Sequence, residues 1–163
     1  ENVLIDSNGH ISLVDFGLSK SRFGAQDTTK TFCGTAEYLA PEMLRGLPYG
    51  LPVDLWGLGC LIYELIEGSP PFYDQCDQQR DNRIVNHPPV FPVSMSEPLK
   101  ELLEGLLRKD PVNRFTVERA IRHPWFAGVD WSEIRSQRAT PPFIPEHMQI
   151  IRNLKTEETV DDR

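Results

Sequence analysis

The stretch that decides the fold spans residues 53–67 and reads VDLWGLGCLIYELIE. Its apolar side chains surround a helix on nearly every side, and a helix of that kind is a buried core helix. Gly68 and Pro70-Pro71 follow directly. They end the helix, because glycine accepts the left-handed conformation after a last turn and proline cannot continue one. The stretch therefore predicts a domain packed around one central helix.

Other helices are predicted on both sides of this one. Residues 41–45 begin with a proline, which suits the first turn of a short helix, and residues 117–123 predict another. Residues 74–87 are polar and give only a weak helical signal. Five leucines repeat at helical spacing and indicate a surface helix packed on one side, namely Leu99, Leu102, Leu103, Leu106 and Leu107.

A β-hairpin is predicted near the start of the chain. Residues 3–5 and 11–14 are short apolar runs on either side of an Asn8-Gly9 step, and that step tolerates the positive φ angles of a tight turn. Together with the helices, the pattern gives two strands and five or six helices. We therefore expect a mainly α fold with a small β-hairpin.

Composition excludes several classes of function. The 163 residues hold 17 Lys and Arg against 24 Asp and Glu, a net charge of −7, so we expect no nucleic-acid partner. The longest apolar run, residues 55–63, is shorter than the ~18 residues of a membrane span. Three cysteines without metal spacing indicate a reducing compartment. We expect a cytoplasmic protein, with the nucleus as a second location.

Residues 15–39 form a connection without sustained periodicity, and a connection of this length in a compact domain is usually functional. Asp15-Phe16-Gly17 opens it directly after the second predicted strand, and Ala40-Pro41-Glu42 begins the helix at its far end. Asn2 lies on the other side of the hairpin. In this order, the two tripeptides match the last part of the protein-kinase signature set.

The sequence resembles a eukaryotic protein kinase from the end of its catalytic loop onward, between Glu1 and about Pro145. Four more kinase-like segments follow in the right order, GTAEY at 34–38, VDLWGLG at 53–59, GSPPF at 68–72 and DPVNR at 110–114. The resemblance implies an incomplete C-terminal lobe of the kinase fold at residues 1–126. Because the chain begins at Glu1, beside a strand-like run, we expect it to be a fragment.

Two segments are similar to the AGC group of kinases. KTFCGT at residues 30–35 resembles the activation segment of that group, and PFIP at residues 142–145 resembles the start of its carboxyl-terminal tail. Residues 127–163 would then be a partial AGC-type extension. Residues 114–120, in contrast, read more like the calmodulin-dependent group.

By this resemblance, Asp15 and Asn2 hold the metal and the nucleotide. Asp15 would ligate the Mg²⁺ that bridges the ATP phosphates, and Asn2 would give a side-chain oxygen to a second metal, since hard cations prefer oxygen ligands. The alternative for Asp15 is a turn carboxylate that ends a strand. Thr35 would hydrogen-bond toward the catalytic base and lie beside the peptide substrate, which is consistent with a Ser/Thr kinase.

The resemblance also implies residues for regulation. Thr31 would be phosphorylated by an upstream activating kinase, and Lys20 would pair with the phosphate. Thr28 and Thr29 are weaker candidates for the modification.

The remaining assignments concern charged side chains. Glu1 and Glu64 would bind arginines of the substrate, because a carboxylate accepts the guanidinium fork. The alternative for Glu64 is a solvated acid near a helix C-terminus. Glu42 and Arg114 would form an ion pair that ties the activation segment to the helical core. Asp54 would either cap the core helix or hold the catalytic-loop backbone.

Two functions are compatible with these motifs. The first is a Ser/Thr protein kinase that transfers the γ-phosphoryl group of Mg-ATP to Arg-containing protein substrates. The Gly-rich loop, the strand lysine and the catalytic Asp are not among these residues, so we expect the chain alone to be inactive. The second is a non-catalytic module derived from a kinase, a truncated product or a pseudokinase, that binds peptides or a partner protein.

Overall fold

The structure, a computed structural model, describes residues 2–20, 24, 26–31 and 33–145. The chain divides into two compact units, one spanning Leu18–Gly128 and one that combines the residues up to Gly17 with those from Val129 onward. The expected mainly α fold with a small β-hairpin is confirmed, because the described residues contain six α-helices and one small two-stranded sheet. None of the helices in these residues is long and apolar enough to cross a membrane.

The hairpin consists of β1 (Val3–Ile5) and β2 (Ile11–Leu13), which pair antiparallel. Its turn is held by Asp6, whose carboxylate accepts hydrogen bonds from the backbone N–H of His10 at 2.9 Å and of Asn8 at 2.8 Å. These bonds lower the pKa of Asp6. The predicted hairpin is therefore confirmed, and a side chain of its own turn stabilises it.

Four of the helices begin and end within two residues of the predicted positions. They are α1 (Pro41–Leu44), α2 (Pro52–Glu67), α4 (Glu97–Leu106) and α5 (Val117–Ile121). Two short 3₁₀ helices, Ala36–Tyr38 and Pro124–Phe126, also lie in the Leu18–Gly128 unit.

The sequence predicted one of the other two α-helices only weakly and the second not at all. The weak signal at residues 74–87 corresponds to a helix of ten residues, α3 (Asp77–Asn86). α6 (Trp131–Arg135) was not predicted, although Asp130 precedes it as an N-cap. The carboxylate of Asp130 accepts hydrogen bonds from the N–H of Ser132 at 2.9 Å and of Glu133 at 3.1 Å.

The core of the larger unit forms around Trp56 of α2. The indole ring stacks on Phe72, with the ring centroids 5.6 Å apart. The other buried side chains of this cluster are Leu39, Ala40, Met43, Cys60, Ile84 and Leu107. α2 is thus the central helix that the sequence predicted.

One face of α2 is nevertheless exposed, so the prediction of a helix buried on every side is wrong. Leu65 is 74% exposed, and Leu58 and Ile66 are exposed as well. The elements that pack most extensively on α2 are α4 and the 3₁₀ helix Ala36–Tyr38, and these three side chains remain exposed to solvent. Apolar residues on every side of a helix do not bury a face that lacks a neighbouring element.

α2 and the segment that ends α4 approach each other closely at Gly59. A Cβ atom at this position would lie 2.9 Å from a methyl carbon of Leu107 and 3.0 Å from the Cβ of Leu106. Gly57, two residues earlier, has open space where its Cβ would be. The packing therefore requires a glycine at position 59 but not at position 57.

Candidate functional site

Asp15 and Asn2 lie at the open end of the hairpin. Because β1 and β2 pair with Val3 opposite Leu13, the residues that flank this pair, Asn2 and Val14, are neighbours across the sheet. The backbone N–H of Val14 donates to the carbonyl oxygen of Asn2 at 3.0 Å. The hairpin thereby brings Asn2 next to the residue that precedes Asp15.

The backbone of Asp15 is left-handed, with a φ of 61°. Non-glycine residues adopt this region seldom, and Asp and Asn tolerate it best. One carboxylate oxygen, Oδ1, accepts a hydrogen bond from the N–H of Gly17 at 3.1 Å. This bond agrees with the interpretation of Asp15 as a turn carboxylate. It uses one oxygen only, since no described residue donates to Oδ2.

The donor set at this end of the hairpin fits Mg²⁺ bound together with a nucleotide. Asp15 offers a carboxylate and Asn2 an amide oxygen, and Mg²⁺ is usually held by one or two carboxylates, by substrate phosphates and by waters. No group of three or more His, Cys, Asp or Glu side chains suited to a metal occurs in the described residues. The described residues therefore do not form a metal site made only of these protein ligands.

Thr31 lies exposed among hydrogen-bonding groups. The Nζ of Lys20 donates to the Oγ1 of Thr31 at 3.1 Å, and the Oγ1 of Thr29 lies 3.2 Å from the same atom. The hydroxyl of Tyr49 donates to the carbonyl of Thr31. A cation already contacts the hydroxyl that the sequence analysis selected for phosphorylation.

The backbone of Thr29, one of the two weaker candidates for modification, is paired with another segment. Thr29 forms an isolated antiparallel bridge with Tyr49, with both backbone N–H to carbonyl distances at 2.9 Å. Its hydroxyl forms a hydrogen bond with the hydroxyl of Thr31. Thr28 is exposed.

Glu64 lies in the last turn of α2 and is half-buried. The hydroxyl of Tyr38, in the 3₁₀ helix, donates to its Oε2. Burial and the carboxylate of Glu64 both raise the pKa of Tyr38, so this hydroxyl remains a donor. Glu64 is therefore held by a specific partner rather than left as a freely solvated acid.

Glu42 and Arg114 form a buried bidentate ion pair. The Nη1 and Nη2 atoms of Arg114 donate to the two carboxylate oxygens of Glu42 at 2.8 and 2.9 Å. Arg114 also donates to the carbonyl of Pro52 at 2.9 Å and to that of Arg108 at 3.0 Å. The pair connects α1 at the end of the long connection to the start of α2 and to the segment after α4.

The remaining predicted site residues are Thr35, Asp54 and Glu1. Thr35 is exposed, and its carbonyl accepts the N–H of Tyr38 at 3.0 Å. Asp54 does not cap α2, because the N-cap position belongs to Leu51 and Asp54 lies inside the first helical turn. Burial raises the pKa of the Asp54 carboxyl, which accepts no hydrogen bond from the described residues. Glu1 lies outside the described residues.

Residues 1–126 match the family described as protein kinase domain. The chain belongs to the protein kinase family. It is 45% identical over 148 residues to serine/threonine-protein kinase gad8 of Schizosaccharomyces pombe, an alignment that covers 89% of this chain and 26% of gad8. It is 44% identical over 149 residues to serine/threonine-protein kinase Sgk1 of Danio rerio, with 89% of this chain and 34% of Sgk1 covered.

A third relative is serine/threonine-protein kinase YPK1 of Saccharomyces cerevisiae, 45% identical over 148 residues, with 89% of this chain and 22% of YPK1 covered. These relatives confirm the resemblance to the AGC group of Ser/Thr protein kinases. The kinase chain spans about a quarter to a third of the length of the first two and less of the third.

Sequence reasoning missed two cations in the kinase chain. Lys109 donates through Nζ to the carbonyl of Ile84 at 2.6 Å and lies 3.8 Å from the ring centroid of Phe72. Arg80 of α3 is buried among carboxylates. The partners of Lys109 lie on other elements, so no local pattern marks this residue. Arg80 has Asp77 three positions before it, which is a local signal, but the stretch gave only a weak helical reading. The role of Tyr38 toward Glu64 was also missed, although Tyr38 belongs to the quoted GTAEY segment.

Proposed function

We propose that this chain is the C-terminal, substrate-binding lobe of a Ser/Thr kinase that transfers the γ-phosphoryl group of ATP to proteins containing arginine. The observation that carries the proposal is the left-handed backbone of Asp15 after β2, one position beyond Val14, which pairs with Asn2 across the hairpin. Backbone strain of this kind tends to occur at functional sites. Here it occurs one position after Val14, whose backbone N–H donates to Asn2, so that the two residues with candidate oxygen ligands flank the same end of the hairpin.

Asp15 and Asn2 would hold the metal that accompanies the nucleotide. When bound, Mg²⁺ neutralises the charge of the phosphates during transfer. The bond from the N–H of Gly17 fixes Oδ1 of Asp15, so the carboxylate does not need to be ordered again when a ligand arrives. In this role the hairpin serves as a rigid support for two oxygen donors.

Glu64 would recognise an arginine of the substrate. Its carboxylate is oriented by the hydroxyl of Tyr38, and a carboxylate with one oxygen engaged still accepts N–H bonds from a guanidinium. Thr35 precedes the 3₁₀ helix that carries Tyr38, which supports a role for both residues beside the peptide.

Thr31 would be the site of activating phosphorylation by an upstream kinase. A phosphate there would add about −1.5 to −2 charges and three acceptor oxygens, and Lys20 already contacts the Thr31 hydroxyl. The modification would replace a hydrogen bond from the Lys20 ammonium to a neutral hydroxyl by an ion pair and so order the activation segment.

The test uses the complete kinase that contains this chain. We expect Asp15→Asn to lower kcat on an arginine-containing peptide by more than about 100-fold, since a catalytic metal contributes several kcal/mol of charge stabilisation. Asparagine tolerates the left-handed backbone, so the hairpin should persist. The measurement is the steady-state rate with Mg-ATP.

Asp6→Asn is the matched control, because Asp6 lies in the turn at the other end of the same hairpin. This variant should keep its activity. Unchanged turnover in Asp15→Asn would contradict the metal role. No turnover in the wild type, together with binding of the same peptide, would favour the non-catalytic peptide-binding module.

A further inference from the structure

An open pocket of about 470 Å³ lies beside α5 in the Leu18–Gly128 unit. Pockets that hold ligands usually have volumes of about 300 to 1,000 Å³. None of the residues proposed for metal binding, phosphorylation or arginine recognition lines this pocket. Six residues line what we call the α5 pocket, namely Thr116, Glu118, Arg119, Arg122, His123 and Pro124.

The two arginines of the α5 pocket have no acceptor among the described residues. Five other described arginines of the same unit donate through their side chains to a carbonyl or a carboxylate, namely Arg45, Arg80, Arg83, Arg108 and Arg114. Neither Arg119 nor Arg122 forms an ion pair with a described carboxylate, and both are exposed. Because a guanidinium carries five N–H donors, the pocket offers hydrogen bonds that the described residues do not use.

The buried ring of Phe115 positions two of the lining side chains. The guanidinium carbon of Arg119 lies 4.0 Å from the centroid of this ring, and the ring of His123 packs against it at a centroid distance of 5.9 Å. Nδ1 of His123 also accepts the backbone N–H of Trp125 at 3.3 Å. Side chains that are already held in place lose less conformational freedom when a ligand binds. The α5 pocket is therefore preorganised.

The charge of the α5 pocket is positive. Glu118 is the one carboxylate among the described residues that line it. Hydrogen bonds from its own backbone N–H and from the hydroxyl of Thr116 lower the pKa of Glu118, and the charge of Arg122 contributes to the same shift. Glu118 consequently stays ionised and offsets part of the charge of Arg122. Two cations against one anion leave the pocket with a net positive charge.

We propose that the α5 pocket is a docking site for an acidic peptide segment of a partner protein, whose carboxylates accept hydrogen bonds from Arg119 and Arg122. A carboxylate can accept two N–H bonds from one guanidinium, which makes this pairing strong and specific. An apolar side chain of the same segment lies against Pro124 and the ring of His123. The kinase chain thereby binds an acidic partner through a surface that the proposed transfer of phosphate does not use.

The number of cations favours a peptide over a nucleic acid or an anionic membrane. Both of those partners present many negative charges and are usually bound by several cations acting together. The chain has a net charge of −7, so the surface as a whole repels a large anion. A concave site with two arginines matches one short segment that carries a few carboxylates.

The test measures how tightly the complete kinase binds a fluorescein-labelled peptide, Glu-Glu-Leu-Glu-Glu, by fluorescence polarisation. Mg-ADP is present to fill the nucleotide site. We expect the Kd of this peptide to rise about fivefold in Arg119→Gln and in Arg122→Gln, as expected for exposed charge pairs. Glu118→Gln should lower the Kd, because it removes the opposing charge.

Two peptides with the same label separate charge from apolar contact. Gln-Gln-Leu-Gln-Gln keeps the leucine and should bind more weakly than the acidic peptide, and Arg119→Gln should not weaken it further. Glu-Glu-Ser-Glu-Glu keeps the charges and should also bind more weakly, while it should remain sensitive to Arg119→Gln.

Arg135→Gln is the matched control, because it removes an equal charge from an exposed arginine that does not line the pocket. It should leave the Kd of the acidic peptide unchanged. All variants should keep the wild-type kcat on an arginine-containing peptide, which verifies that the fold is intact. The gain in affinity expected for Glu118→Gln is a second safeguard, since a damaged fold does not bind its ligand more tightly.

Three results would overturn the docking site. The first is an unchanged Kd when Arg119→Gln and Arg122→Gln are combined. The second is equal affinity for the acidic peptide and its glutamine counterpart, including no binding of either up to about 1 mM. The third is a thymidine pentanucleotide that binds more tightly than the acidic peptide and is weakened by the same substitutions, which would assign the pocket to a nucleic acid.

Discussion

At the scale of single residues, the contact between Glu42 and Arg114 is an ion pair removed from water, with side-chain exposures of 4% and 0%. We expect Glu42→Gln to lower the free energy of unfolding by about 3 to 5 kcal/mol, because it leaves a buried guanidinium without its counter-charge. The measurement is urea unfolding of the 163-residue chain.

The chain contains a matched control for this prediction. Arg138 and Glu133 form an ion pair of similar length, 2.7 Å, but their side chains are 61% and 40% exposed. Glu133→Gln should therefore cost less than about 1 kcal/mol. Equal losses in the two variants would show that burial does not set the strength of these pairs.

At the scale of elements, the packing of α2 depends on which glycine faces a neighbour. Gly59→Ala introduces a methyl group against Leu106 and Leu107 and should destabilise the chain by about 1 to 3 kcal/mol through overpacking. Gly57→Ala fills open space and should stabilise it by about 0.5 to 1 kcal/mol, because alanine loses less entropy in a helix. Thermal unfolding should move the two variants in opposite directions.

The elements also show how far the sequence is informative. β1, β2 and the leucine helix α4 follow from periods and turn residues, which are local signals. α3 gave a weak signal because few of its residues are apolar, and one of its two buried side chains is Arg80. The exposed face of α2 depends on which elements pack against it, and the sequence of the helix carries no information on that.

Some residues of the candidate site could be predicted from the sequence, and others could not. Asp15 and Asn2 were selected from motifs, and the hairpin register brings their backbones together. Tyr38 and Glu64 are 26 positions apart, and Arg114 and Glu42 are 72 apart. The second pair was expected only because of the family resemblance. Contacts at such separations arise from tertiary packing, which no local pattern encodes.

At the scale of the whole molecule, Lys109 couples stability to pH. Its ammonium contacts the face of Phe72 and the carbonyl of Ile84, which favour the charged form, but burial is the larger influence and lowers the pKa of Lys109 to about 7. Between that value and the unfolded value of about 10.4, the unfolded chain binds a proton that the folded chain lacks. The free energy of unfolding should therefore rise with pH above 7.

Urea unfolding between pH 7 and 8.5 checks this prediction. Lys109 should contribute at most about 1.4 kcal/mol per pH unit to the rise. Lys109→Met should remove that contribution, and Lys30→Met, at an exposed position, should keep it. Above pH 8.5, Cys60 has the opposite effect on the free energy of unfolding. Burial raises the pKa of its thiol to about 12, so the folded thiol retains a proton that the unfolded thiol loses. This contribution lowers the free energy of unfolding as the pH rises. An identical slope in Lys109→Met and the wild type would contradict the assignment.

The unit that carries Asp15 is assembled from both ends of the described chain. At Gly9, in the turn of the hairpin, a Cβ atom would collide with the carbonyl oxygen of Phe143 and with Pro141. During translation the hairpin therefore leaves the ribosome before residues 141–143, and it must wait for more than a hundred further residues, roughly ten seconds of synthesis, before these contacts exist. The Leu18–Gly128 unit is completed within that interval.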